Sequence, residues 1–274
     1  MELDRNRWWF VFYEHNIILQ KSEDGKLDIP FKAQLEFNQP NPDAIHEYCF
    51  HDKYPCTAVK LSTAPAIDSA KYIMLSLRDS FFHLDLWKYQ AAGSAQQLIY
   101  WDENTRFCPA CGTATERKSL IMKKCPKCEK EQYPPIQTAV IVLIRKGDEI
   151  LLAHAHNFKY EFYGLIAGYV EIAETLEESV RREVKEETGL NIRNIQYFGN
   201  QPWPYPSGLM VGFIADYESG EICIQEEELR NAAFFSKDNL PALPQKLSIA
   251  RRMIDWWLDQ QIKKSKISNL ICSF

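Results

Sequence analysis

The chain has 274 residues, 46% of them hydrophobic, and a formal net charge of -5. That length is enough for two compact domains of ordinary globular composition. The acidic balance argues against a general nucleic-acid binder or a protein held on anionic membranes, since both carry basic surfaces, and it suits a small charged substrate.

No apolar run approaches the roughly 18 residues of a spanning helix, and the opening MELDRNRWWF lacks the apolar core of a secretion signal, so a cytoplasmic protein without a membrane partner is expected. Of eight cysteines, Cys49, Cys56, Cys223 and Cys272 are scattered without ligand spacing. They read as packing residues in a reducing compartment, with a metal or disulfide pairing of Cys49 and Cys56 as the alternative.

Residues 1-100 carry short aromatic and β-branched runs at Trp8 to Phe12, Ala58 to Leu61 and Tyr72 to Leu75, broken by polar stretches such as Asn38-Gln39-Pro40-Asn41-Pro42. They predict a small β-rich domain. Leu86 to Trp101 has helical character, although Gly93 and Ser94 weaken it.

Residues 101-135 contain Cys108-Pro-Ala-Cys111 and, thirteen residues later, Cys125-Pro-Lys-Cys128. Two such knuckles offer four thiolates in a tetrahedron around Zn2+, a closed and therefore structural site. Redox-active pairs are the alternative, but those motifs normally come singly at a helix start. Lys118, Lys123, Lys124, Lys127 and Lys130 make the segment locally basic. They fit a solvated surface, or one that steers a polyphosphate or an RNA 5' end.

Residues 136-274 open with Ala139 to Ile144, a turn at Lys146-Gly147-Asp148, and Ile150 to Ala153, which predicts a hairpin of buried strands. Further strands are expected over Ile192 to Phe198 and Met210 to Ala215. A closing helix over Ser248 to Ile262 places Ile249, Met253, Trp256 and Trp257 at core spacing.

Within this part the stretch GYVEIAETLEESVRREVKEETGL, Gly168 to Leu190, has Thr175 and Glu178 as a capping box and Gly189 as a stop. At about 100° per residue, Leu176, Val180 and Val184 define the buried face; Glu187 falls inside that sector, and Glu183 and Glu177 lie within about 20° of its edges. A carboxylate taken out of water must be paired, neutralised or bound to a cation, and hard divalent cations bind both carboxylate and phosphate oxygens.

The spacing Gly168, Glu174, Arg182-Glu183-Val184, Glu186-Glu187, Gly189-Leu190 resembles the Nudix box, with Ala173 standing where many relatives have Gly. Downstream, Gln201-Pro202-Trp203-Pro204-Tyr205-Pro206-Ser207 offers flat rings on a proline-stiffened loop, suited by composition to packing or to stacking a base. Preceded by a zinc ribbon and a Nudix box, it resembles the signature of the NADH pyrophosphatase branch, whose members also remove NAD caps from RNA. Asn200, Tyr205 and Gly208 depart from that signature.

The resemblance implies an α/β fold, the Nudix α/β/α sandwich with a mixed sheet, behind a zinc ribbon and the small β-rich domain. It implies hydrolysis of NAD(H) to nicotinamide mononucleotide and AMP, with a metal-activated water as nucleophile, by a homodimer. Carried over, it makes Glu183, Glu187 and Glu228 ligands of Mg2+ or Mn2+ with the carbonyl of Ala167, and gives Glu186 a share in metal binding or water activation. One sequence leaves Glu226 and Glu227 open as substitutes for Glu228. Substrate contacts fall on Tyr133, Tyr169, Gln201, Pro202, Trp203, Pro204, Tyr205, Pro206, Ser207, Met210 and Ala250, and Glu174 would pair with Arg182. The rival readings are a Nudix hydrolase of ADP-ribose or dinucleoside polyphosphates, and a zinc-ribbon protein that senses a nucleotide without cleaving it.

Overall fold

The computed structural model describes residues 6–36, 45–156 and 161–271, with 264–271 by backbone alone. The polar break from Asn38 to Pro42, and Cys272, lie outside the described residues. The chain divides into two units, Met1–Ile136 with Trp203–Ser207, and Gln137–Pro202 with Gly208–Phe274.

The first unit begins with β1 (Arg7–Tyr13), β2 (Asn16–Lys21), β3 (Leu27–Asp28), β4 (Phe31–Lys32), β5 (Ile45–Phe50), β6 (Tyr54–Leu61) and β7 (Tyr72–Ser76), followed by α1 (Leu77–Ser80) and α2 (Leu86–Asn104). The sheet runs β3-β2-β1-β6-β5, with β4 on β1 and β7 on β2. Alternating side chains sort its strands: Val11, Ile18, Val59, Leu61 and Tyr72 form one buried cluster with Leu35. Tyr48 reaches α2, donating its hydroxyl to the Ala91 carbonyl at 2.8 Å. The three runs expected as strands all form, and so does the helix, in spite of Gly93. A Cβ on Gly93 would lie 3.1 Å from Pro204 Cγ, so the missing side chain admits the 203–207 segment.

That segment is bound into the first unit. Tyr205 and Tyr89 share a hydroxyl hydrogen bond of 2.8 Å, and the Arg78 guanidinium lies 4.7 Å from the Tyr205 ring centre and 5.3 Å from that of Trp203. Ser207 donates to the Pro135 carbonyl at 2.7 Å. The packing role read from its composition is therefore real.

The zinc-ribbon stretch folds as β8 (Glu116–Ser119), β9 (Met122–Lys124) and β10 (Glu131–Gln132), ordered β10-β9-β8. Each knuckle closes after its second cysteine on a left-handed residue, Gly112 (φ 70) and Glu129 (φ 61), whose amides return to the Cys108 and Cys125 carbonyls. Of the lysines there, Lys118, Lys123 and Lys124 are engaged with Glu116, Asp102 and Glu129.

The second unit contains β11 (Gln137–Lys146), β12 (Glu149–Ala155), β13 (Ile166–Tyr169), α3 (Leu176–Thr188), β14 (Asn191–Trp203), β15 (Gly208–Ser219), β16 (Leu229–Ser236) and α4 (Ile249–Ile271). Its sheet is ordered β14-β15-β11-β12-β16 with β13 on β11, and β11 pairs parallel to β15. The β11-β12 hairpin turns on Gly147-Asp148 as expected. Val140, Val142, Val211 and Phe213 face Val180 and Val184 of α3, while Ile141, Leu143 and Ile214 face Ile249, Met253 and Trp257 of α4. Helices thus cover both faces of a mixed sheet. The strands of the second half run longer than their hydrophobic cores suggest, and α4 continues past Ile262. No helix among the described residues is long and apolar enough to cross a membrane.

Candidate active site

Helix α3 carries the site, and its ends are fixed locally. Thr175 and Glu178 form a reciprocal capping box, and Gly189 ends the helix at φ 72. The helix C-terminus is completed from the following loop, where the Cys223 and Gln225 amides donate to the Thr188 and Glu187 carbonyls at 2.9 and 3.0 Å. Ser179, Val180, Glu183, Val184, Glu187 and Thr188 are buried, so the covered edge of the apolar stripe is the one bearing glutamates. Glu177, on the opposite edge, is exposed.

Glu187 is 5% exposed, and among the described residues no donor is hydrogen-bonded to its carboxylate. Burial, followed by the charges of Glu183, Glu228 and Glu186, pushes it up to about 8. Burial also raises Glu183, against the opposing pull of Arg182. Glu228 is the one of the three candidate loop glutamates whose charge acts on both. A cavity of about 340 Å3 is lined by Ala167, Glu187, Glu227 and Glu228 together with Ala153, Ala155, His156, Leu165 and Leu229. Glu226 is not on its wall. A buried carboxylate without a donor, next to three more acids and an open cavity, fits a divalent cation.

Two further features hold the acids in place. Arg182 donates to both oxygens of Glu174 at 2.5 and 2.9 Å, the expected ion pair, and also to the Tyr169 carbonyl at 2.9 Å. Its remaining nitrogen donates to Glu183 at 2.8 Å and Glu186 at 3.0 Å, a reach the sequence did not reveal. Gly168 is the second feature: a Cβ there would lie 2.0 to 2.2 Å from the carboxylate atoms of Glu183, so only glycine lets that group lie against β13.

In the first unit the Sγ atoms of Cys108, Cys111, Cys125 and Cys128 lie within 4.8 Å of one another, with close approaches of 3.5 to 3.6 Å. Tetrahedral Zn2+ at the usual sulfur distance of about 2.3 Å requires edges near 3.8 Å, so the donor set fits structural zinc. This is the one group of three or more such ligands that close together among the described residues; the glutamates stand further apart, as unscreened like charges should. Cys49, Cys56 and Cys223 are free.

The expected substrate contacts fall on both parts of the chain. Tyr133 and residues Trp203 to Ser207 belong to the first, and Tyr169, Gln201, Pro202, Met210 and Ala250 to the second. Tyr133 and Tyr169 are 54% and 59% exposed, rings free to take a ligand face. Gln201 donates to the Leu247 carbonyl at 2.9 Å while its oxygen is buried without a partner. Ala250 is buried, and Trp257 is core, as its helical spacing predicts.

Three family profiles cover this chain in succession: the NADH pyrophosphatase-like rudimentary NUDIX domain over residues 6–101, the NADH pyrophosphatase zinc ribbon domain over 103–133 and the NUDIX domain over 135–257. A protein of Photobacterium profundum is 37% identical over 249 residues and one of Yersinia pestis 44% identical over 253, each match covering 90% of both chains. A Pseudomonas aeruginosa protein is 43% identical over 183 residues, a match spanning 66% of this chain and 66% of that relative's own length. All three relatives are described as NAD-capped RNA hydrolase NudC. The match to a solved Nudix hydrolase from Nitrosomonas europaea covers 52% of this chain and 85% of that one, at 22% identity and a TM-score of 0.46. The chain belongs to the Nudix hydrolases, a family that implies a divalent metal at the glutamate helix. Within that family it belongs to the zinc-ribbon branch of the NADH pyrophosphatases and NAD-capped RNA hydrolases.

Proposed function

We propose that the protein hydrolyses the diphosphate bond of NAD(H), giving nicotinamide mononucleotide and AMP, and removes NAD caps from RNA 5' ends. The observation that carries this reading is Glu187, a carboxylate buried without a donor on the Nudix helix, beside Glu183, Glu228 and the Ala167 strand. Glu183, Glu187, Glu228 and the Ala167 carbonyl would hold Mg2+ or Mn2+. When bound, that cation neutralises the diphosphate and lowers the pKa of a coordinated water.

The chain's own residues do the rest. Arg182 fixes Glu183 and Glu186 while Glu174 fixes Arg182, so the acids keep their places as the substrate's negative charge arrives. Glu186, the more exposed of the two acids that Arg182 holds, has one oxygen on Arg182 and the other available to accept the proton of the attacking water. The water oxygen bonds to phosphorus, the bridging P–O bond breaks, and the departing phosphate oxygen keeps the electron pair. Tyr133 and Tyr169 supply faces for the bases, and the Gln201 to Ser207 segment with Met210 and Ala250 selects the dinucleotide. The ring at Tyr205 retains the apolar face of the branch signature. We further place the protein in the cytoplasm as a homodimer, where its zinc thiolates stay reduced; light scattering that gave a monomer at micromolar concentration would remove the dimer.

The test is to incubate zinc-loaded protein with NADH, ADP-ribose or NAD-capped RNA and either Mg2+ or Mn2+, and to identify the products. NMNH plus AMP from NADH, and 5'-monophosphate RNA from capped RNA, are expected. Preferential cleavage of ADP-ribose would reassign the substrate, and binding without turnover would make the protein a sensor. Glu187→Gln should lower kcat by more than the roughly 100-fold that losing an outer-shell partner of a metal costs, with the protein still folded and zinc-loaded.

A further inference from the structure

Glu228 lies on a turn just before β16, not on the helix that carries the other acids, and its side chain is exposed. A carboxylate in that setting is a poor ligand unless something immobilises the turn, because ordering it on binding costs conformational entropy. Three hydrogen bonds tie the turn to itself and to α3: Gln225 N to the Glu187 carbonyl at 3.0 Å, and Glu228 N and Leu229 N to the Gln225 carbonyl at 3.0 and 2.9 Å. Among the described residues two further ties come from His156, directly after β12. Its amide donates to the Glu228 carbonyl at 2.9 Å, and its Nε2 lies 3.0 Å from the Glu226 carbonyl.

The Glu226 carbonyl can only accept, and Arg230 on the other side of the ring requires the same tautomer. The Arg230 Nε–H donates to His156 Nδ1 at 3.2 Å. Since a guanidinium can only donate, Nδ1 must accept, the ring proton sits on Nε2, and Nε2–H donates to the Glu226 carbonyl. The backbone makes this possible. The register of β12 against β16 slips between His154, opposite Asn231, and Ala155, opposite Leu229, which leaves Arg230 as the extra residue of a β-bulge. A bulge re-aims the side chain it carries, and here it turns Arg230 onto the imidazole. The Arg230 head group also approaches Glu161 at 3.7 Å. His156 lines the same cavity as Glu187 and Glu228.

We propose that His156 is a positioning residue for the catalytic cation: with the bulged Arg230 requiring the same tautomer, its ring clamps the 226–228 turn so that Glu228 is presented ready-made to the metal. This rests on the reading of Glu228 as a ligand made above, and it adds a part that neither the Nudix box nor the loop signature contains.

The measurement is Mn2+ binding to zinc-loaded protein without substrate, read from the electron paramagnetic resonance of free Mn2+, beside the Mn2+ dependence of NADH hydrolysis. His156→Ala should weaken Mn2+ binding about tenfold, the lower end of what outer-shell partners cost, and raise the Mn2+ needed for half-maximal rate by the same factor while kcat at saturating Mn2+ stays near that of the parent. His156→Gln, whose amide NH2 takes the place of Nε2–H, should bind like the parent. In the double variant with Glu228→Gln, the loss should not exceed that of Glu228→Gln alone. Folded His156→Ala with parental Mn2+ affinity overturns the proposal, as does a Gln variant as weak as Ala, or losses that add in full. If His156→Ala does not fold, His156→Phe, which keeps a ring but has no nitrogen to donate to the Glu226 carbonyl, decides: weaker Mn2+ binding supports the clamp and unchanged binding overturns it. A parent that binds Mn2+ but cleaves no dinucleotide would sink the proposed function and leave this clamp to be judged on binding alone.

Discussion

Glu183 can occupy its position because residue 168 has no side chain. Replacing Gly168 by Ala would place a methyl group inside van der Waals contact with that carboxylate, so either β13 or the acid must move. Displacements of about 1 Å at a reacting centre cost on the order of 100-fold in rate. Gly168→Ala is therefore expected to lose about that factor in kcat/KM for NADH with little change in zinc content; near-parental turnover would show that Glu183 is not needed where it stands. At this scale the sequence was legible where chemistry is carried by residue type and spacing, as for the inward Glu187. It was silent where function depends on reach. Arg182 extends to Glu183 and Glu186, and His156 to the 226 carbonyl, through side-chain directions that no spacing encodes. Ala173 illustrates a different limit. The substitution for glycine was visible, but only the backbone shows that it sits at φ 67, where glycine would be unstrained.

Among the elements, α3 was read nearly to the residue because its capping box, apolar stripe and glycine stop all point the same way. Strand β16 was missed, since LRNAAFFS has neither alternation nor a β-branched run and earns its place only by pairing along β12. The zinc ribbon stands between these cases. Its four cysteines announce the metal, whereas the left-handed turn at Glu129 carries no glycine to betray it. Its three strands of four, three and two residues bury little on their own, so the metal must supply much of the folding energy, and structural zinc contributes on the order of 10 kcal/mol. Chelating zinc should melt this element first. A drop in the melting temperature, with catalytic-metal binding regained once Mg2+ is re-supplied, is the expected outcome, and a zinc-free protein of unchanged melting temperature would remove the structural role.

At the scale of the whole molecule, two buried groups set opposite responses to pH. His46 is held at about 4 by burial and then by the nearby Arg117 charge, in spite of Asp102. Between that value and the ordinary 6.5 the unfolded chain binds more protons than the folded one, so stability rises with pH across this window. Glu187, pushed up to about 8 from 4.5, does the reverse: the folded chain holds the extra proton, and stability falls as pH rises through that interval. Zinc-loaded protein free of Mg2+ is thus expected to be most stable in the mildly acidic range where the two trends cross. Added Mg2+ should raise stability more at pH 8 than at pH 5, because the cation takes the proton's place. Urea unfolding at those two pH values, with and without Mg2+, measures this, and an equal gain at both would contradict it.

The five residues Trp203–Ser207 end β14 and lead directly into β15, yet they are members of the other unit. Genetic dissection at residue 136 would consequently yield fragments that are each incomplete. The amino-terminal piece would lack the rings over Arg78, the hydroxyl partner of Tyr89 and the proline seated on Gly93. The carboxy-terminal piece would carry those aromatics with nothing to receive them. Gene fusions, split reporters and limited proteolysis aimed at separating the halves should therefore spare this crossover, or expect insoluble products.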